Sequence, residues 1–122
     1  MNLHESGEMY LKTIYILTND SNNVRAIDIS KYMNYSKPSV SRALSNLKNS
    51  LYVSISENGV ISLTQQGYKI AKKIYDRHEV LTNFLIHIGV DNNIAFDEAC
   101  RIEHVISDDT YLALKKHVSK LK

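Results

Sequence analysis

Between Val24 and Leu63 the sequence reads as two short helices, a tight corner and a hairpin, an order that few folds accommodate. Ala26, Ile27, Ile29, Ser30 and Met33 mark the first helix, and Asn34 is placed to take the positive φ that a corner needs. Ser36 starts the second helix, with Pro38 inside its first turn, where a missing N–H costs nothing. Val40, Leu44 and Leu47 recur at helical spacing as the buried stripe, which leaves Lys37, Ser39, Ser41, Arg42 and Ser45 facing out. Leu51–Ser56 and Val60–Leu63 then read as strands joined by Glu57-Asn58-Gly59, and Asn-Gly is a strong hairpin signal. A hairpin directly after such a helix is a wing, so the expected fold is mainly α (α+β) and opens with a winged helix-turn-helix. Short polar and basic side chains at the start of an exposed helix suit major-groove readout. Ser36, Lys37, Pro38, Ser39, Ser41 and Arg42 are therefore the candidate DNA-contacting residues. Two small helices at a corner also occur without DNA binding, and polar Ser54, Ser56 and Asn58 equally describe a solvated hairpin tip.

The flanking segments are helical. Ser6 is placed to cap a helix to about Thr18, with Glu8 in its first turn, Tyr10, Leu11, Ile14, Tyr15 and Leu17 on its apolar side, and Asn19–Asn23 ending it. Thr64 is placed to cap a long helix over about Gln65–His87, and Gly67 lets its start pack closely. Ile70, Ile74, His78, Leu81 and Leu85 form one stripe on it, so His78 faces inward. Gly89 ends that helix, Asp91 or Asn92 restarts the chain, and a helix over about Asn93–Ile106 follows. On it Ala95, Ala99, Ile102 and Ile106 make a flat stripe fit to pack on another helix or on its own copy. Ser107, with Asp108 and Asp109, caps a last helix to about Leu121. The expected domains are 1–73 and 74–122, with the long helix shared. Residues 1–73 hold nine Lys/Arg against five Asp/Glu, whereas 74–122 hold six against eight. That division suits a polyanion at the first part and a cation at the second, although solvated faces segregate this far by chance. No apolar run approaches the roughly 18 to 20 residues of a membrane span. Met1–Glu5 lacks the order of a secretory signal, and a single Cys forms no internal disulfide, so a cytoplasmic, reducing compartment is expected.

Asp97-Glu98-Ala99-Cys100-Arg101-Ile102-Glu103-His104 carries the chemistry. On a helix Cys100, Glu103 and His104 share one face, and all three are ligand types for first-row metals. The same face also reads as an incidental thiol beside a solvated Glu–His pair. A nucleophilic Cys–His pair would need an oxyanion hole and a group orienting the imidazole, yet none of the four glycines lies in a loop beside Cys100. No enzyme is expected. A metal would need a further ligand from another helix, and a lone inward His78 remains an ordinary core residue unless a second ligand faces it.

The order of first helix, winged helix-turn-helix, long helix with Arg77-His78-Glu79, and Asp97–Asp108 resembles the diphtheria toxin repressor family of metal-dependent transcriptional regulators. The resemblance covers nearly the whole chain, and the Asp97–Asp108 run is similar to the iron-responsive branch. Glu8-Met9-Tyr10-Leu11-Lys12-Thr13-Ile14-Tyr15 looks like the family's first helix, whose Met is a metal ligand. The resemblance implies a main site of Met9, Cys100, Glu103 and His104. In the manganese-responsive branch the Met and Cys positions are oxygen ligands; sulfur at both favours Fe(II), and in a test tube Co(II), Ni(II) or Zn(II), over Mn(II), although metal supply also sets occupancy. Lys12 replaces a carboxylate of that branch, so its two-metal cluster is not expected. The iron branch's ancillary site is built on a His matching His78, with two further ligands where this chain has Thr82 and Phe96. It is expected to be weak, absent or rebuilt from neighbours such as Glu79. Longer members carry an SH3-like third domain, and the short form without it is expected here. Arg42 replaces a Gln of the best-known member, so no operator sequence carries over. The resemblance implies an Fe(II)-responsive repressor that binds palindromic DNA as a homodimer in the cytoplasm. A manganese-responsive regulator, or a metal-independent winged helix acting as adaptor or small-molecule sensor, stays open.

Overall fold

The computed structural model describes residues 5–121, so the Met1–His4 part of the segment read for a secretory signal lies outside it. The chain forms two compact units, 1–72 and 73–122. The first holds α1 (Glu5–Asp20), α2 (Ala26–Met33), α3 (Lys37–Asn49), β1 (Val53–Ile55), β2 (Ile61–Leu63) and the start of α4 (Gln65–His87). Its core gathers Leu11 and Ile14 of α1, Ile29 of α2, Val40, Leu44 and Leu47 of α3, and Tyr52, Val53, Ile61 and Ala71.

The corner between α2 and α3 is built as its residues require. Asn34 takes φ 58° and ψ 43°, and its N–H bonds the Ser30 carbonyl. Ser36 is extended and its hydroxyl accepts the Ser39 N–H, with Pro38 in the first turn of α3. The antiparallel strands pair Val53 with Leu63, Ser54 with Ser62 and Ile55 with Ile61. They are shorter than the sequence suggests. Gly59, at φ 82°, turns the hairpin. Two residues outside the hairpin hold it: the Ile61 N–H donates to the Val24 carbonyl at 2.8 Å, and Arg25 Nη1 donates to the Asn58 carbonyl at 2.7 Å. This is a winged helix-turn-helix.

Thr64 starts α4 by accepting the Gly67 N–H at 3.1 Å while its hydroxyl donates to the Leu51 carbonyl at 2.7 Å. In the second unit α4 runs on to His87, and Gly89, at φ 107°, turns the chain after it. Asp91 then caps α5 (Asn92–Ile102), and Ser107 caps α6 (Asp108–Ser119). Ile74, Leu81, Ala95, Ala99 and Val118 are buried between them, together with Arg77, His78 and Glu103. α5 ends four residues before the expected Ile106. Glu103 is its C-cap, and the chain tightens through His104 N–H to Arg101 O (3.4 Å) and Val105 N–H to Ile102 O (3.0 Å). Ser107, extended as the cap of α6, lies five residues beyond Ile102, so the chain has left the helix before it. Among the described residues no helix is long and apolar enough to cross a membrane.

Candidate metal centre

His78 comes from the inward stripe of α4, Cys100 from the last turn of α5 and Glu103 from its C-cap. Their ligand atoms all lie within 4.8 Å of one another, the one such group of three among the described residues. His78 Nδ1 stands 3.2 Å from Glu103 Oε2 and 3.6 Å from Cys100 Sγ. On the other side of the carboxylate, His104 Nε2 stands 3.3 Å from Glu103 Oε1. The Glu103 side chain is 0% exposed and sits between two imidazoles whose side chains are 8% and 1% exposed. A carboxylate buried to that degree demands compensating positive charge or donors. Thiol, imidazole nitrogen and carboxylate oxygen at this separation are a donor set that fits a borderline first-row cation.

The geometry also separates this cluster from a nucleophilic triad. In a triad the two imidazole nitrogens face different partners, one the nucleophile and one the orienting carboxylate. Here the single Nδ1 faces both Cys100 and Glu103, while Nε2 lies 3.5 Å from Thr82 Oγ1. The ring cannot take a proton from the thiol and be oriented by the carboxylate through one atom.

His78 is thus brought to Cys100 and Glu103, where the resemblance implies a separate ancillary site. Thr82 and Phe96, which stand at the other ancillary positions, both touch its ring, Phe96 edge-on at a centroid distance of 4.6 Å. Glu79 is exposed and lies outside the cluster. His104 lies beyond the end of α5 and stands beside the Glu103 carboxylate. Met9 is half-buried on α1 in the first unit. The pairing of His78 with Cys100 links residues 22 apart, and local spacing carries no signal for it.

Around it, α4 and α6 are tied by charge. Asp108 bonds Arg77 Nη2 and lies 3.2 Å from Lys73 Nζ. Its hydrogen bond to Lys73 first, and that to Arg77 second, hold the Asp108 carboxyl below its ordinary value.

On α3, Lys37, Pro38, Ser41 and Arg42 are exposed, and so is Ser36, while Ser39 is half-buried. The Ser36 and Ser39 hydroxyls bond each other at 2.9 Å, so the cap already engages two of the candidate contacts. Tyr10 of α1 packs edge-on against Tyr35 at 6.0 Å beside the start of α3. Burial raises the Tyr10 phenol above its ordinary value, Tyr35 adds to the rise, and Arg42 opposes it. The bond of Arg25 to the hairpin turn at Asn58 spans 33 positions, so local spacing carries no signal for it.

Residues 2–61 match the family described as iron dependent repressor, N-terminal DNA binding domain. Residues 64–122 match iron dependent repressor, metal binding and dimerisation domain. An HTH-type transcriptional regulator of Methanocaldococcus jannaschii is 32% identical over 122 residues, covering 98% of both chains. The diphtheria toxin repressor of Corynebacterium diphtheriae is 31% identical over 93% of this chain, and 51% of that protein is covered. Among solved structures, that of the manganese regulator SloR superposes with a TM-score of 0.82 at 28% identity, covering 98% of this chain and 55% of that one. The chain spans about half the length of these last two.

Proposed function

The chain belongs to the iron-dependent repressor family of metal-dependent transcriptional regulators, and on that premise we propose that it is an Fe(II)-responsive repressor that binds a palindromic operator as a homodimer. The observation that carries the metal is the closeness of His78, Cys100 and the fully buried Glu103. A divalent ion held there would meet a half-buried thiol, an imidazole and a fully buried carboxylate, a donor set that suits a borderline first-row cation. The thiol argues for Fe(II) over Mn(II), since a softer ligand stands where a manganese site takes oxygen. His104, beside Glu103, extends the donor set. Met9 enters the reading through the family resemblance alone.

The DNA reading rests on α3. Lys37 is placed as a phosphate contact, Ser36, Pro38, Ser39 and Ser41 line the start of the helix, and Arg42 presents the fork that reads guanine. The homodimer reading draws on the apolar side chains that the second unit leaves exposed, among them Ile88 at 59%, Ile94 at 53% and Leu112 at 57%. A metal-independent adaptor is the less favoured reading, because both family matches are to metal-dependent regulators.

The test is anaerobic binding of apo protein to fragments of its own genome, with Fe(II) or Mn(II) added. Fe(II) should raise affinity for a palindromic fragment by about a hundredfold, roughly 2.7 kcal/mol of coupling, and Cys100→Ala should remove that gain without unfolding the chain. Equal retention with and without metal, or full stimulation of Cys100→Ala, overturns the reading; a preference for Mn(II) overturns the iron assignment alone.

A further inference from the structure

α5 stops at Ile102, and in the link to α6 that follows, the Glu103 and Ile106 carbonyls turn toward α4. One side chain of α4 collects them. Arg77 Nη1 donates to the Ile106 carbonyl at 2.7 Å and reaches the Glu103 carbonyl at 3.4 Å, and Nη2 bonds the Asp108 carboxylate. Its Cζ lies 5.6 Å from the centre of the Tyr111 ring, and the side chain is only 6% exposed. Arg77 is the chain neighbour of His78, whose ring faces the carboxylate of the same Glu103. Two consecutive residues of α4 therefore address the backbone and the side chain of one ligand.

Resting on the reading of His78, Cys100 and Glu103 as a metal centre, we infer that Arg77 is its positioning residue: the guanidinium pins the Glu103–Asp108 turn so that Glu103 and His104 are in place before an ion arrives. The side chain suits the task. A planar fork reaches these three acceptors from two separate nitrogens in fixed directions while its plane lies over the Tyr111 ring, whereas an ammonium gathers its three donors on one atom and cannot reproduce that spread. Asp108 balances the buried charge, and Asp108 itself is held by Lys73 from one turn earlier on α4. Groups behind metal ligands set how much reorganisation binding requires, and loss of such a group typically costs roughly ten- to hundredfold in affinity.

The experiment is an anaerobic Co(II) titration of the full chain, followed by the thiolate-to-cobalt charge-transfer absorption that reports Cys100 as a ligand. If the wild-type chain shows no such band, the metal centre fails and the inference fails with it. With the band present, Arg77→Lys should weaken Co(II) binding by roughly tenfold or more and alter the cobalt d–d spectrum. Asp108→Asn should shift affinity in the same direction by less. Val118→Ala, which removes a buried group of α6 away from the turn, should lower Tm while leaving Co(II) affinity and spectrum as in the wild type. Wild-type affinity and spectrum in Arg77→Lys, or an equal loss of affinity in Val118→Ala, overturns the inference and leaves the metal centre standing. Should Arg77→Lys not fold, unchanged Co(II) affinity in Asp108→Asn overturns it instead.

Discussion

A methyl group on Gly67 would lie 2.0 Å from the Tyr52 carbonyl oxygen, well inside contact distance. Tyr52 has little freedom to retreat, because its N–H bonds the Leu47 carbonyl at 2.9 Å and its own carbonyl accepts the Thr64 N–H at 3.1 Å. Gly67→Ala should therefore cost about 1–3 kcal/mol as overpacking, even though Ala is the better helix former at an ordinary position. Chemical denaturation checks it, and a stability gain would mean that the start of α4 moves freely against Tyr52. Leu51 makes the opposite point. It holds φ 67° with no glycine to ease it, because Leu51 N–H to Lys48 O and Tyr52 N–H to Leu47 O close the end of α3 there. Nothing in a leucine announces that geometry.

At the scale of elements, α4 and α6 are joined through Asp108, and the joint is pH-dependent. The folded carboxyl titrates below its unfolded value, so its contribution is complete above the ordinary carboxylate range and is lost as pH falls through the folded value. The Tm difference between wild type and Asp108→Asn should be present near neutrality and vanish in acid; a difference independent of pH would rule the ion pair out. Because Asp108 is largely exposed, salt should shrink the same difference. What could be read in the sequence follows the range of the forces. The limits of α4 were legible because Thr64 and Gly89 act on their own turns, and the corner at Asn34 for the same reason. The end of α5 was not, since apolar spacing continues through Ile106 and the guanidinium that gathers the carbonyls beyond Ile102 is 26 and 29 residues away. The candidate site divides in the same way: Cys100 and Glu103 stand one turn apart as their spacing suggests, His104 falls beyond the end of α5, and the approach of His78 exists only once α4 and α5 have turned at Gly89.

For the molecule as a DNA-binding object, the excess of positive charge in residues 1–73 matters less than where individual cations stand. Lys37→Ala should weaken binding to all sequences alike and reduce the salt slope by about one. Arg42→Ala should cost about 1–3 kcal/mol on the preferred fragment and relax base preference there. Salt-dependent binding to specific and random duplexes separates the two, and identical effects would remove the division of labour between them. The bond from Ile61 to Val24 has a consequence of another kind. It occupies the outer edge of β2, and each strand of the hairpin is only three residues long. A sheet so short and so covered is a poor template for a strand from a second copy, which guards the chain against edge-to-edge aggregation.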